Sequence, residues 1–182
     1  AFSSSKYTQA AVENVEKHLK ERNLKLPTRA DTPLSPTYKP EIDVSEELEA
    51  EEAAYFQSLI GVLRWIVELG RVDLCLEVSM LSSHLALPRK GHLDEVYHMF
   101  AYLKKYHNAE MILDPSEPEI DPHEFRRHDW EATEFGDELE EIMPANCPKP
   151  LGFGIIMQAY VDADHAADTI TRRSGTGFCK FS

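Results

Sequence analysis

The stretch Ala53-Ala-Tyr-Phe-Gln-Ser-Leu-Ile-Gly-Val-Leu-Arg-Trp-Ile-Val-Glu-Leu69 decides the fold. Phe56, Ile60, Leu63 and Val67 recur at three- and four-residue spacing, the period of an amphipathic helix. The spacing predicts a helix over Ala53–Leu69, and Gly70 beyond it suits the left-handed position that ends many helices. Ahead of it, Glu41–Glu52 is an acidic lead-in. Acids suit the positive end of a helix dipole, and Ser45 is a candidate cap. After Gly70, Asp73 stands where it would cap a second helix over Leu74–Leu85, which Pro88 stops. A third helix, Leu93–Tyr106, carries Val96, Phe100 and Leu103 on one face. Short loops join the three, which implies a small helical bundle.

Toward the N-terminus, Ser3–Ser5 offer caps for a helix over Lys6–Asn23, with Val12, Val15 and Leu19 as its apolar stripe. Leu24–Pro40 contains Pro27, Pro33, Pro36 and Pro40 and should be extended. Toward the C-terminus the helical pattern breaks at Met111. Asp114-Pro-Ser-Glu-Pro and Ile120-Asp-Pro are turn signals. The residues to Pro150 are acidic and poorly periodic, with Trp130 and Phe135 as isolated anchors. Gly152–Val161 reads as a strand, Asp162–Arg173 as a polar connection and Gly175–Phe181 as a second strand. The fold class is therefore α+β: a helical region over 1–110, an acidic linker over 111–151 and an opening β-hairpin over 152–182. The hairpin is expected to open a β-containing domain that these residues do not finish. The chain starts at Ala1 and stops inside a strand, so a piece of a longer protein is expected. A two-stranded hairpin alone is marginal in water, and Ile155, Ile156 and Phe178 left exposed would favour aggregation.

The 182 residues carry 32 acidic and 19 basic side chains, a net charge of −13. The acidity is local. Glu110–Glu141 holds 13 acids against 2 bases, which leaves 19 acids against 17 bases elsewhere. An acidic chain repels phosphates overall, yet a nearly neutral body leaves room for a basic patch. No apolar run reaches the ~18 residues of a membrane span. Cys75, Cys147 and Cys179 form no CxxC pair, which argues against a disulfide framework or zinc site and for a reducing compartment. His123 and His128 in His-Glu-Phe-Arg-Arg-His are five apart, off the HExxH spacing that puts two ligands on one helix face. His84, His92, His98 and His107 read as ordinary helix histidines. No phosphate-cradling or nucleophile-elbow glycine motif is present.

The candidate chemistry lies in Asp162, Asp164 and Asp168. A carboxylate after an apolar strand is rigidly held, and clustered carboxylates are what Mg²⁺-dependent phosphodiester chemistry requires. The same residues also end strands and build turns. Arg172 and Arg173 suit phosphate contact or a solvated turn. Lys104 and Lys105, with Arg64, Arg71, Arg89 and Lys90, are candidates for a basic face on the bundle.

Taken together, several strings are more specific than any one of them. Tyr55-Phe-Gln-Ser-Leu-Ile-Gly-Val-Leu-Arg-Trp-Ile, Gly70-Arg-Val-Asp-Leu, Val78-Ser-Met-Leu-Ser-Ser, Pro88, His92 and Ala101-Tyr-Leu-Lys stand in that order. They resemble the end of copia-type retrotransposon reverse transcriptases. Tyr160-Val-Asp-Ala-Asp-His-Ala-Ala-Asp, followed by Arg172-Arg-Ser-Gly-Thr-Gly, resembles the start of that family's ribonuclease H domain. His165 stands where an aromatic residue is usual and Ala167 where glycine is usual. The resemblance implies a thumb and connection region followed by an incomplete ribonuclease H-like fold. It implies Asp162 as the first metal carboxylate, with Asp164 matching the string but also suited to a turn. It implies Mg²⁺ as the cofactor of the complete parent and an RNA–DNA hybrid or template–primer duplex as partner. Lys104, Lys105, Arg172 and Arg173 are then candidate nucleic-acid contacts. The rest of the polyprotein would be a further partner, and an intracellular setting, cytoplasmic or nuclear, or a virus-like particle, would be the location. The polymerase's paired aspartates and the other ribonuclease H carboxylates are not in this sequence, so these residues alone should neither polymerise nor cut. A different class stays open: a non-enzymatic acidic module that binds a basic partner through Glu110–Glu141. So does a relic without selected function.

Overall fold

The computed structural model describes residues 3–111, 144–148, 158–163, 168, 170–172, 174 and 176–181. The chain divides into two compact units, Ala1–Asp114 with His165–Ser174, and Pro115–Asp164 with Gly175–Ser182. The first holds helices α1 (Ser5–Glu21), α2 (Ala50–Glu68), α3 (Cys75–Ser82) and α4 (Lys90–Lys105), with single 3₁₀ turns at Pro40–Ile42 and Val72–Leu74. The second holds strands β1 (Gln158–Ala163) and β2 (Thr176–Phe181). The sequence-based linker lies almost wholly outside the described residues, as do Asp164, Arg173, Ile155, Ile156, His123 and His128.

The apolar periodicity becomes the core. Val12, Val15 and Leu19 are buried on α1, joined by Thr8 and Ala11 one turn apart. Phe56, Leu59, Ile60, Leu63 and Ile66 are buried on α2, and Val96, Met99, Phe100 and Leu103 on α4. The bundle therefore includes α1, packed chiefly on α4, while α3 packs on α2.

Helix ends show where local signals suffice. Gly70 takes φ 104°, Gly70 N–H donates to Val67 O (2.9 Å) and Arg71 N–H to Ile66 O (3.2 Å). This is the Schellman pattern, with glycine in the left-handed position. Asn23 does the same for α1 at φ 58°, with Leu24 N–H on Leu19 O at 2.8 Å. That ends α1 before Asn23, short of the predicted boundary.

Two predicted caps are spent elsewhere. Ser45 does not cap α2, whose N-cap position is Glu49 with no side-chain bond. Its Oγ accepts Gly91 N–H at 2.9 Å, on the first turn of α4. The cause is a short antiparallel pairing that sets 46–48 beside 88–90. Leu48 N–H donates to Pro88 O (3.0 Å) and Lys90 N–H to Glu46 O (2.9 Å). Asp73 does not cap α3 either. It sits in the 3₁₀ turn with its carboxylate on Arg71, and α3 is shorter than predicted.

The proline-rich stretch forms no α-helix or strand; instead of running fully extended it bends, turns at Pro36–Thr37 and ends in the 3₁₀ turn at Pro40. It runs as a strap along α4: Asp31 pairs with Lys105, Thr32 O accepts from His98 (3.0 Å), and Ser35 N–H donates to Glu95 (3.0 Å). Leu26 and Ala30 bury beneath it.

The hairpin is antiparallel, with Tyr160 opposite Cys179 and Asp162 opposite Gly177. β1 reaches Ala163, so Asp162 lies inside the strand and not after it. No helix among the described residues is long and apolar enough to cross a membrane.

Candidate functional site

Backbone pairing places Asp162 on β1. Its side chain is exposed, as are those of Val161 and Ala163 on either side. Side chains alternate between faces along a strand, so this end of the hairpin offers water both a carboxylate face and an apolar one. Among the described residues no three of His, Cys, Asp or Glu converge where a cation would sit. A hard divalent cation takes about six oxygens, and Asp162 supplies one carboxylate. The described residues do not by themselves make a magnesium site.

Asp168 groups with the helical unit and Asp162 with the hairpin's. Asp168 builds a turn. Its Oδ1 accepts the N–H groups of Ile170 (2.9 Å) and Thr171 (2.7 Å), and its carbonyl accepts Arg172 N–H (2.9 Å). Arg172 is exposed in the left-handed region at φ 57°, a strained choice for an arginine.

The six cations read as a basic face have separate fates. Arg71 is only 1% exposed and is not on a face at all. Its Nε and Nη2 donate to the two Asp73 oxygens (2.9 and 2.8 Å), its Nη1 to Tyr106 O (2.9 Å), and its guanidinium lies 5.8 Å from the Tyr102 ring. It ties the end of α2 to the end of α4. Burial opposes charge on both partners. Their mutual hydrogen bonds, charge attraction and the contacts with Tyr102 together outweigh it, so Asp73 is held below the usual carboxylate range and Arg71 above its own. Lys104 pairs with Glu16 (2.6 Å), and Lys105 with Asp31 (2.5 Å) while covering the Tyr106 ring. Arg89 pairs with Glu47 and Lys90 with Glu46. Arg64 is exposed and, among the described residues, has no carboxylate partner. For Lys104 or Lys105 to meet a phosphate, Glu16 or Asp31 must be displaced.

The densest polar cluster was not foreseen from sequence. It lies where the strap meets the start of α4. Tyr38 donates to Asp43 Oδ2 (2.5 Å), and Ser45 N–H donates to Asp43 Oδ1 (2.8 Å). Gly91 faces that carboxylate so closely that a Cβ would overlap it. His92, buried behind it, accepts Arg89 N–H at Nδ1 (3.0 Å) and reaches Pro40 O through Nε2 (3.1 Å). The His84 ring lies tilted against it, with the ring centroids 4.3 Å apart. Burial would raise the Asp43 carboxyl, but the bonds from Ser45 and Tyr38, with His92 nearby, bring it below the usual range. Burial and Asp43 push the Tyr38 phenol up. The one sequence signal for this cluster is Lys90-Gly-His, a glycine in the first turn of a helix where its lack of a side chain admits another chain segment.

No protein-family model, curated protein or solved structure matches the chain.

Proposed function

We propose that this chain is a segment of a copia-type retroelement polyprotein. Its helical unit would help grip an RNA–DNA hybrid or template–primer duplex, and Asp162 would be the first carboxylate of a ribonuclease H metal site. The observation that supports the reading most is the ordered set of strings quoted above. Tyr55–Ile66 falls on α2, Val78–Ser82 on α3 and Ala101–Lys104 on α4, and Asp162 sits on a strand paired to β2. The remaining Mg²⁺ ligands and the polymerase carboxylates would come from the rest of the parent. Contacts to such a duplex would be to backbone and shape.

The test is binding of a short RNA–DNA hybrid by this chain across a salt series. Reversing Lys104 and Lys105 to glutamate should weaken binding and flatten its salt dependence. Unchanged affinity and slope would remove the two lysines from the interface. In a full-length parent, Asp162→Asn should abolish Mg²⁺-dependent hybrid cleavage.

The ion pairs of Lys104 and Lys105 favour a second reading, a non-enzymatic module that binds a basic partner through its acidic segment. Hybrid binding that is absent at low salt, with capture of a basic protein lost on deleting 110–141, would favour that reading.

A further inference from the structure

We propose that segment 40–48, which continues the strap, is an acid-sensitive latch on the N-terminus of α4, released when His84, in ring contact with the buried His92, takes up a proton. His92 is 2% exposed and both its nitrogens are committed. Nδ1 accepts a backbone N–H, so it carries no proton, and Nε2 must carry one to reach Pro40 O. The geometry selects one neutral tautomer. A proton added at Nδ1 would set two N–H groups against each other and detach Arg89 from the start of α4. A proton on His84 would place a positive charge in ring contact with that same buried imidazole.

The groups around the pair come from every side. Glu41 and Asp43 face it from the strap, Asp168 from the 165–174 stretch, and Phe56 from α2 at 6.4 Å from the His92 ring. On α4 itself, Asp94 and Glu95 border Asp43. Burial and His92 oppose a proton on His84, while the three carboxylates favour one. The opposition wins, and His84 is held below the usual histidine value.

The sign follows. The folded value lies below the unfolded 6.5, so the latch is fully stable above about pH 6.5 and loses stability as pH falls through the folded value. Asp43, held low, stays charged through this window and cannot start the release. The backbone groups freed would be those holding the strap: Gly91 N–H on Ser45, Lys90 N–H on Glu46 O and Leu48 N–H on Pro88 O.

The experiment is residue-resolved amide hydrogen exchange on the full chain at pH 7 and pH 5, corrected for intrinsic rates. Protection at Leu48, Lys90 and Gly91 should drop severalfold at pH 5, because opening is linked to proton uptake. Leu63 and Ile66 inside α2 should keep theirs. Changing His92 removes a buried partner and endangers the fold, so His84→Gln is the informative variant, and it should flatten the pH response. Asp94→Asn is the control for a competing carboxyl: burial, with Glu95 and Asp43, holds Asp94 above its usual value, and a raised carboxyl adds stability as pH falls, so its removal should leave the loss of protection intact. Unchanged protection in the wild type would overturn the latch. So would an equal loss at Leu63, or a response that survives His84→Gln and vanishes in Asp94→Asn.

Discussion

The helical unit and the hairpin hold themselves together in different ways. In the helical unit Phe56, Leu63, Val96 and Phe100 are fully buried, and the buried Arg71 guanidinium ties the end of α2 to the end of α4 through Tyr106 O. In the hairpin the register is set by backbone pairing, and Val161 remains 70% exposed beside Asp162. A core uses its side chains for packing. The strand pair is secured through its backbone, and Val161, Asp162 and Ala163 are exposed to water.

The contrast is easiest to break at the core. Phe56→Ala should cost roughly 3–5 kcal/mol, read by urea denaturation, whereas Val161→Ser should stay within about 0.5 kcal/mol. A Val161 effect as large as that of Phe56 would mean that the hairpin is buried as deeply as the bundle.

Next comes the buried arginine. Asp73→Ala strands the Arg71 charge and should cost about 3 kcal/mol. The carboxyl is held below its ordinary 3.8, so its stabilisation is present above pH 4 and lost as pH falls through the lower folded value. Asp73→Asn should therefore flatten the stability curve below pH 4. An unaltered acid limb would assign that loss to other carboxylates.

The glycines sharpen the comparison within one unit. Gly91→Ala would drive a methyl group into the Asp43 carboxylate and should cost about 1–3 kcal/mol. Gly61→Ala meets nothing within 4 Å in the middle of α2 and should stabilise by roughly 0.5–1 kcal/mol. Equal signs in thermal denaturation would refute the close approach of the strap to α4.

The smallest effects belong to the surface pairs. Lys104→Ala and Lys105→Ala should each change stability by less than about 1 kcal/mol, with the difference fading in high salt. A larger loss at Lys105 would show that the strap depends on its Asp31 contact.

Much of the fold was legible because helix period, a glycine stop and proline placement act within a few residues. The stripes on α1, α2 and α4 became the core, and Gly70 became the left-handed cap. The candidate site was half legible. The sequence reading ends the strand at Val161 and places Asp162 just beyond it; its position inside β1 depends on pairing with Gly177, which no local pattern records. Ser45 and Asp73 are good cap residues that lost their predicted positions to stronger partners brought close by packing.

By itself the sequence determined that four helices precede two strands, since periodicity and backbone sterics are local, while the exact ends moved by several residues. Only the tertiary structure decided that 31–48 straps α4, that Arg71 is internal, and that Lys104 and Lys105 answer Glu16 and Asp31. Those contacts join residues far apart in the chain. Their energy depends on which surfaces the packed core leaves adjacent, and residue type alone carries no such distance.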